Sequence, residues 1–230
     1  MNSNLRASIW VFTTLVGYTI LCLSLFLMLR TILNYTSFQD NIQFLALKQA
    51  YIHILPWKLA FYIHIFSAFL ALAAGFTQFS TEIRQHHPRW HRLLGHLYVW
   101  NILVVNFPTA LLLAIYANGG LPGKLPFLLL DLLWVGFTFK ALQAAIQKKF
   151  TDHQNFMIRS YALTFSAITL RTWKIILVQY ALVLPQNLYL TEAWLGFVPN
   201  LVLAEAIVYY VKKRNGFLTT KRNSAGKQHP

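Results

Sequence analysis

The chain has 230 residues, of which 57% are hydrophobic and only 11% are charged; soluble domains carry about 25% charged residues, so a water-soluble globule is excluded. Twenty Lys and Arg against six Asp and Glu give a net charge of +14, but these basic residues gather between apolar runs and form no basic stripe on a polar fold, which excludes a nucleic-acid binder. A single cysteine, Cys22, excludes an intrachain disulfide and any cysteine-built zinc or iron–sulfur centre.

Crossing about 30 Å of hydrocarbon takes about 20 mostly apolar residues, and six stretches meet that need. The first, Ile9–Leu29, is longer than the apolar run of a signal peptide and has no small-residue cleavage site behind it. The linker Asn34–Trp57 follows, and within it Ile42–Leu55 is apolar but too short to span, which predicts an interfacial helix. The next spans are Leu59–Phe79, Leu93–Tyr116, Leu125–Ile146 and Met157–Leu184. The sixth, Trp194–Val211, is the shortest and carries Pro199 and Glu205. From Asn215 the chain is polar, which predicts a disordered tail over 215–230. The expected fold is an all-α, polytopic bundle of six transmembrane helices forming one domain over 1–214.

Sorting the basic residues orients the bundle. With the N-terminus inside, the cytoplasmic segments hold 13: Arg6, Arg84, Arg89, Arg92, Lys148, Lys149, Arg159, Lys212, Lys213, Arg214, Lys221, Arg222 and Lys227. The outer segments hold 4 (Arg30, Lys48, Lys58 and Lys124), and the spans the remaining 3, Lys140, Arg171 and Lys174. Positive residues concentrate on the cytoplasmic side of membrane proteins, so both termini are expected there, in a cell inner (plasma) membrane. Lipid is the one partner this reading fixes; it leaves the oligomeric state open.

Ionisable residues inside a span are costly and usually face the bundle interior. At 1.5 Å per residue, His64 lies about 10 Å below the outer face, Asp131 about 9 Å and Arg171 about 12 Å. That shared level predicts a polar core of His64, Asp131 and Arg171, with an Arg171–Asp131 ion pair. Gln78 joins it through a helix-two stripe of His64, Ala68, Ala71, Gly75 and Gln78, whose small residues permit close approach. In the fifth span, His153, Met157, Ser160, Thr164, Ala167, Arg171 and Lys174 recur at steps of three or four and form another stripe.

A second cluster lies at the cytoplasmic side. RQHHPRWHRLLGHLY brings together Arg84, His86, His87, Arg89, His91, Arg92 and His96, and Pro88 suits the first position of a helix that His87 precedes. The following cytoplasmic loop carries KKFTDHQNFMIRS, with Asp152, His153 and Arg159. Neutral imidazole ligates haem iron and other transition metals. Two of these histidines suit a haem b; His87, His91, His153 and Asp152 suit a single metal ion. The alternative is a basic loop among lipid headgroups with no cofactor.

These residues also carry a resemblance. His64, Gly75, Gln78 and Arg84, then HRLLGHLY (His91–Tyr98), then DHQNFMIRSYALTFSAITLR (Asp152–Arg171) resemble the bacterial predicted-membrane-protein family DUF2306 over Tyr62–Trp173. The resemblance implies an integral membrane protein and matches His64, His91, His153, Arg159 and Arg171 to motif positions, without assigning them chemistry. A weaker likeness is to di-haem transmembrane cytochromes b of the ferric reductase type, which have histidines at two depths on four helices. The fourth span here has no histidine, which leaves an outer haem without its second ligand.

Two classes of function follow. One is a haem- or metal-binding oxidoreductase or electron carrier, with His91, His96 and His153 (and His64 at the outer level) on the cofactor. In it Arg84, Arg92 or Arg159 would meet propionates or an anionic substrate, and a quinone or redox partner would dock. The other is a permease moving protons or anions past His64, Asp131 and Arg171, with an accessory subunit as a further alternative. No nucleophile elbow, H-E-x-x-H or phosphate-cradling glycine loop is present.

Overall fold

The computed structural model describes residues 3–225, with side chains over 8–213 apart from 9, 10, 13, 14, 185 and 186. All regular structure among the described residues is helical. Six helices are long and apolar enough to cross a membrane: Leu15–Ser37, Leu55–Thr77, Pro88–Ile115, Gly120–Ile146, Phe150–Gln179 and Asn187–Lys213. By packing, the chain falls into two compact units, Met1–Tyr116 and Ala117–Pro230. The boundary falls at a turn in which Gly119 and Gly120 hold φ of 81° and 63°, left-handed values that glycine adopts without a steric cost.

In the first unit, α1 (Ser3–Leu33) exposes Phe12, Leu15, Leu23 and Phe26, as a lipid-facing helix does. A 3-10 turn, Asn34–Ser37, leads to α2 (Gln43–Ala46), then to α3 (Leu55–Thr77). The single interfacial helix expected over 42–55 is not formed: only Gln43–Ala46 is helical, and the following residues are turns. The physical reason is packing. Leu45 buries completely in a cluster with Tyr35, Trp57, Phe61, Tyr62 and Ile65, which favours a folded cap over a straight amphipathic rod. Lys48 Nζ donates to the Tyr116 carbonyl at 2.8 Å and Lys58 pairs with Asp40 at 2.6 Å, securing that cap.

After α4 (Thr81–His86), the third span is built from α5 (Pro88–Trp100), a π-helical segment, Asn101–Asn106, and α6 (Phe107–Ile115). Pro108 explains the wide turn. It has no N–H for the Val104 carbonyl, and its ring crowds that turn, so the helix widens locally before resuming. Side-chain amides fill the gap: Asn106 Nδ2 donates to the Asn101 carbonyl at 3.3 Å, while Asn101 Nδ2 crosses to the Ser67 carbonyl of α3 at 2.6 Å.

The second unit comprises α7 (Gly120–Ile146), α8 (Phe150–Thr164), α9 (Ser166–Gln179) and α10 (Pro185–Ala225). The fifth span is interrupted at Phe165 without a proline. Hydroxyls do it: Thr164 Oγ1 donates back to the Ser160 carbonyl and Ser166 Oγ to that of Leu163, bonds that compete with the helical ladder and bend it. The tail expected from residue 215 enters the structure as a continuation of α10 to Ala225, and residues 226–230 lie outside the described residues.

Candidate functional site

In the first unit, His64 is half-buried on α3, with Nδ1 3.5 Å from Thr109 Oγ1. That hydroxyl has its proton directed to the carbonyls of Val105 and Asn106 at 2.8 and 3.0 Å. One turn along α3, Ser67 Oγ lies 3.3 Å from Asn106 Oδ1. His64 therefore sits beside the amide-lined π segment. Gln78, at the other end of α3, has its amide against α5: with its oxygen facing donors, it accepts from Gly95 N–H at 3.3 Å and donates to the His91 carbonyl at 3.2 Å. A Cβ on Gly95 would stand 3.0 Å from the end of the Gln78 amide, so the glycine of HRLLGHLY keeps room for that amide.

His87 lies between α4 and α5, and α5 begins at Pro88 as its sequence position implies. His91 is half-buried; His87, His96, Arg84 and Arg92 are exposed. His86 pairs with Glu82 at 2.9 Å on the surface.

In the second unit a polar seam is buried between α7 and α8. On α7, Asp131, Trp134, Thr138 and Ala141 recur on one face and all are buried. Facing them are Ser160 and Thr164: Trp134 Nε1 donates to Thr164 Oγ1 at 2.9 Å, and Thr138 Oγ1 lies 2.7 Å from Ser160 Oγ. At the lower end, His153 Nδ1 lies 2.8 Å from the Ala141 carbonyl. A carbonyl only accepts, so Nδ1 carries the proton and Nε2 is left as the lone-pair nitrogen of the neutral ring. Asp152, beside it in the first turn of α8, is exposed.

The seam's upper end differs from expectation. Asp131, 5% exposed, makes no hydrogen bond or ion pair with any described residue, and the expected Arg171–Asp131 pair is not formed. Arg171 instead turns along its own helix and donates from Nη1 to the Ala167 carbonyl; an estimated depth along two helices does not bring their side chains together. Arg159 is also committed. Its Nε and Nη2 hold both oxygens of Glu205, and its guanidinium lies 5.9 and 5.7 Å from the ring centroids of Phe137 and Phe156, which ties α8 to α10.

Three groups escaped the sequence reading. Asn101 and Asn106 are amides in an apolar span just before Pro108, a pairing that signals a broken backbone ladder. Glu192 lies two residues before the expected start of the sixth span at Trp194, and so was not counted as intramembrane. It is 5% exposed and its Oε2 has no hydrogen-bond partner among the described residues. Within either unit, no three described His, Cys, Asp or Glu side chains gather as a metal-binding group.

Six apolar spans, buried intramembrane polar groups and all-helical structure define a polytopic integral membrane protein, in contact with the lipid bilayer. The family model described as predicted membrane protein (DUF2306) matches residues 61–208, and the chain belongs to that family. The match continues past Trp173, where the sequence resemblance stops, through most of the last span. No curated protein and no solved structure matches the chain, and the likeness to ferric-reductase-type cytochromes rests on the histidine pattern alone.

Proposed function

We propose that this protein is an electron carrier or oxidoreductase of the plasma membrane that binds haem b, or a single transition-metal ion, through His153. The observation that carries the reading is the 2.8 Å bond from His153 Nδ1 to the Ala141 carbonyl. A backbone carbonyl on one ring nitrogen fixes the tautomer and ring orientation, and raises the basicity of the other nitrogen, as in metal-ligating histidines generally. One imidazole suffices for five-coordinate haem. The surrounding chain suits such a group: His153 is half-buried near one end of the apolar span Phe150–Gln179, a level that a membrane-dissolved quinone could reach.

The test is the colour of the detergent-purified protein. A haem protein has a strong near-ultraviolet Soret band that shifts on dithionite reduction, and His153→Ala removes it while the remaining protein keeps its helical circular dichroism. A bound metal ion appears instead as stoichiometric metal in elemental analysis, lost in the same variant. Colourless, metal-free wild-type protein from iron-replete cells refutes the reading.

A further inference from the structure

We propose that Glu192 and Asp131 are proton-exchanging carboxyl groups, the first passing protons between one membrane face and the second near the bilayer middle. This inference is independent of the cofactor reading. Both carboxyls belong to the second unit, and their common end is fixed by Asn118 N–H donating to Tyr189 Oη at 3.3 Å. Measured from that end at 1.5 Å per residue, Glu192 lies about 8 Å inside Asn187 on α10, and Asp131 lies about 16 Å inside Gly120 on α7. The two helices touch where the Phe127 and Tyr189 rings are 5.7 Å apart. Asp131 is one turn beyond Phe127 and Glu192 nearly one turn beyond Tyr189, which puts each within about 60° of that ring contact on its own helix, Asp131 at the edge shared with the α7–α8 seam.

Neither group has the partners that a purely structural carboxylate requires. Asp131 makes no hydrogen bond or ion pair with a described residue, and Glu192 Oε2 is buried with none. An ionised carboxylate in hydrocarbon without partners is prohibitively costly, so each needs a proton or a cation as company. A hard metal cation takes about six oxygen ligands, and no three described His, Cys, Asp or Glu side chains gather around either carboxyl; a proton needs no such shell. Lys174, exposed on α9 and about 8 Å inside Gln179, is level with Glu192. Its ammonium can stabilise Glu192 when the proton has left, which makes Glu192 the exchangeable step. The other titratable groups in this half of the packed elements are Arg171 on α9, Lys124 on α7 and Tyr189 on α10 itself.

The test uses full-length protein in lipid vesicles. Dicyclohexylcarbodiimide, which reaches protonated carboxyls from the membrane, is expected to form adducts on Glu192 and Asp131 and to spare Glu205, held by Arg159. Infrared spectroscopy then follows proton–deuteron exchange at the Asp131 carboxyl, assigned by the band lost in Asp131→Asn. Glu192→Gln is expected to slow that exchange by roughly tenfold or more, and Glu192→Asp, which keeps the carboxyl, to restore it. Absence of adducts on both residues in the wild-type protein overturns the proposal, as does unchanged Asp131 exchange in Glu192→Gln.

Discussion

A Cβ built on Gly123 would stand 1.9 Å from the Asn118 carbonyl oxygen, with Tyr189 at 3.5 Å on another side. Backbone cannot retreat as a flexible side chain can, so Gly123→Ala is expected to destabilise the second unit by about 2–4 kcal/mol. Thermal unfolding in detergent measures the loss. Thr138 and Ser160 present a different case, because each hydroxyl is fully buried and their mutual bond is 2.7 Å. Intramembrane hydrogen bonds are worth about 0.6 kcal/mol on average and up to about 1.7. A double-mutant cycle of Thr138→Val and Ser160→Ala is therefore expected to give a coupling within that range; zero coupling would separate the two side chains. At this scale the sequence was legible in kind and blind in detail. Of the stripe on the fifth span, Met157, Ser160 and Thr164 are buried, His153, Ala167 and Arg171 are half-buried, and Lys174 is exposed. Arg171 and Asp131 shared a depth, but spacing along a helix leaves the direction of a long side chain open, and Arg171 folds back on Ala167.

Among the elements, the third span and the fifth show two routes to an interrupted helix. Pro108 widens one; the hydroxyls of Thr164 and Ser166 bend the other. Hydropathy located both spans because it averages over some 19 residues, and for the same reason it could not see either interruption. The third-span break is held by the Asn101 bond to the Ser67 carbonyl. Asn101→Leu leaves that carbonyl without its amide partner and is expected to cost about 1–3 kcal/mol, together with faster deuterium exchange across residues 101–106. The Arg159–Glu205 clamp between α8 and α10 makes a related prediction. Its two parallel bonds match a guanidinium fork and not an ammonium, so Arg159→Lys should recover little of the stability that Arg159→Ala loses. The Nηs and Nε of Arg159 were expected near a cofactor or substrate because the residue sits in a histidine motif; its acidic partner, Glu205, stands 46 positions away, a distance no local pattern reveals.

For the whole molecule, six spans with an excess of basic residues on one side predict that the α4–α5 connection is cytoplasmic. In a Cys22→Ser background, a cysteine placed at the exposed Gln85 should react with a membrane-impermeant maleimide only in inside-out vesicles. Reaction in right-side-out vesicles would reverse the topology. Composition sufficed to assign the protein to the membrane, and the lengths of its apolar runs to count the spans, since the cost of exposing polar groups to hydrocarbon leaves few alternatives. The division into two units left no mark in hydropathy, because a glycine turn between two spans looks like any other short connection.

The Lys48 ammonium reaches a carbonyl 68 residues later in the chain. During synthesis that acceptor emerges only after the third span has been made, so the aromatic cap over residues 34–54 is held by the Lys58–Asp40 pair and its own packing, without the Tyr116 anchor, while the first two spans enter the bilayer. The last fastening of the cap is thus a late event of biogenesis, and a chain truncated before Tyr116 would present the linker to proteases with one of its two lysine anchors missing.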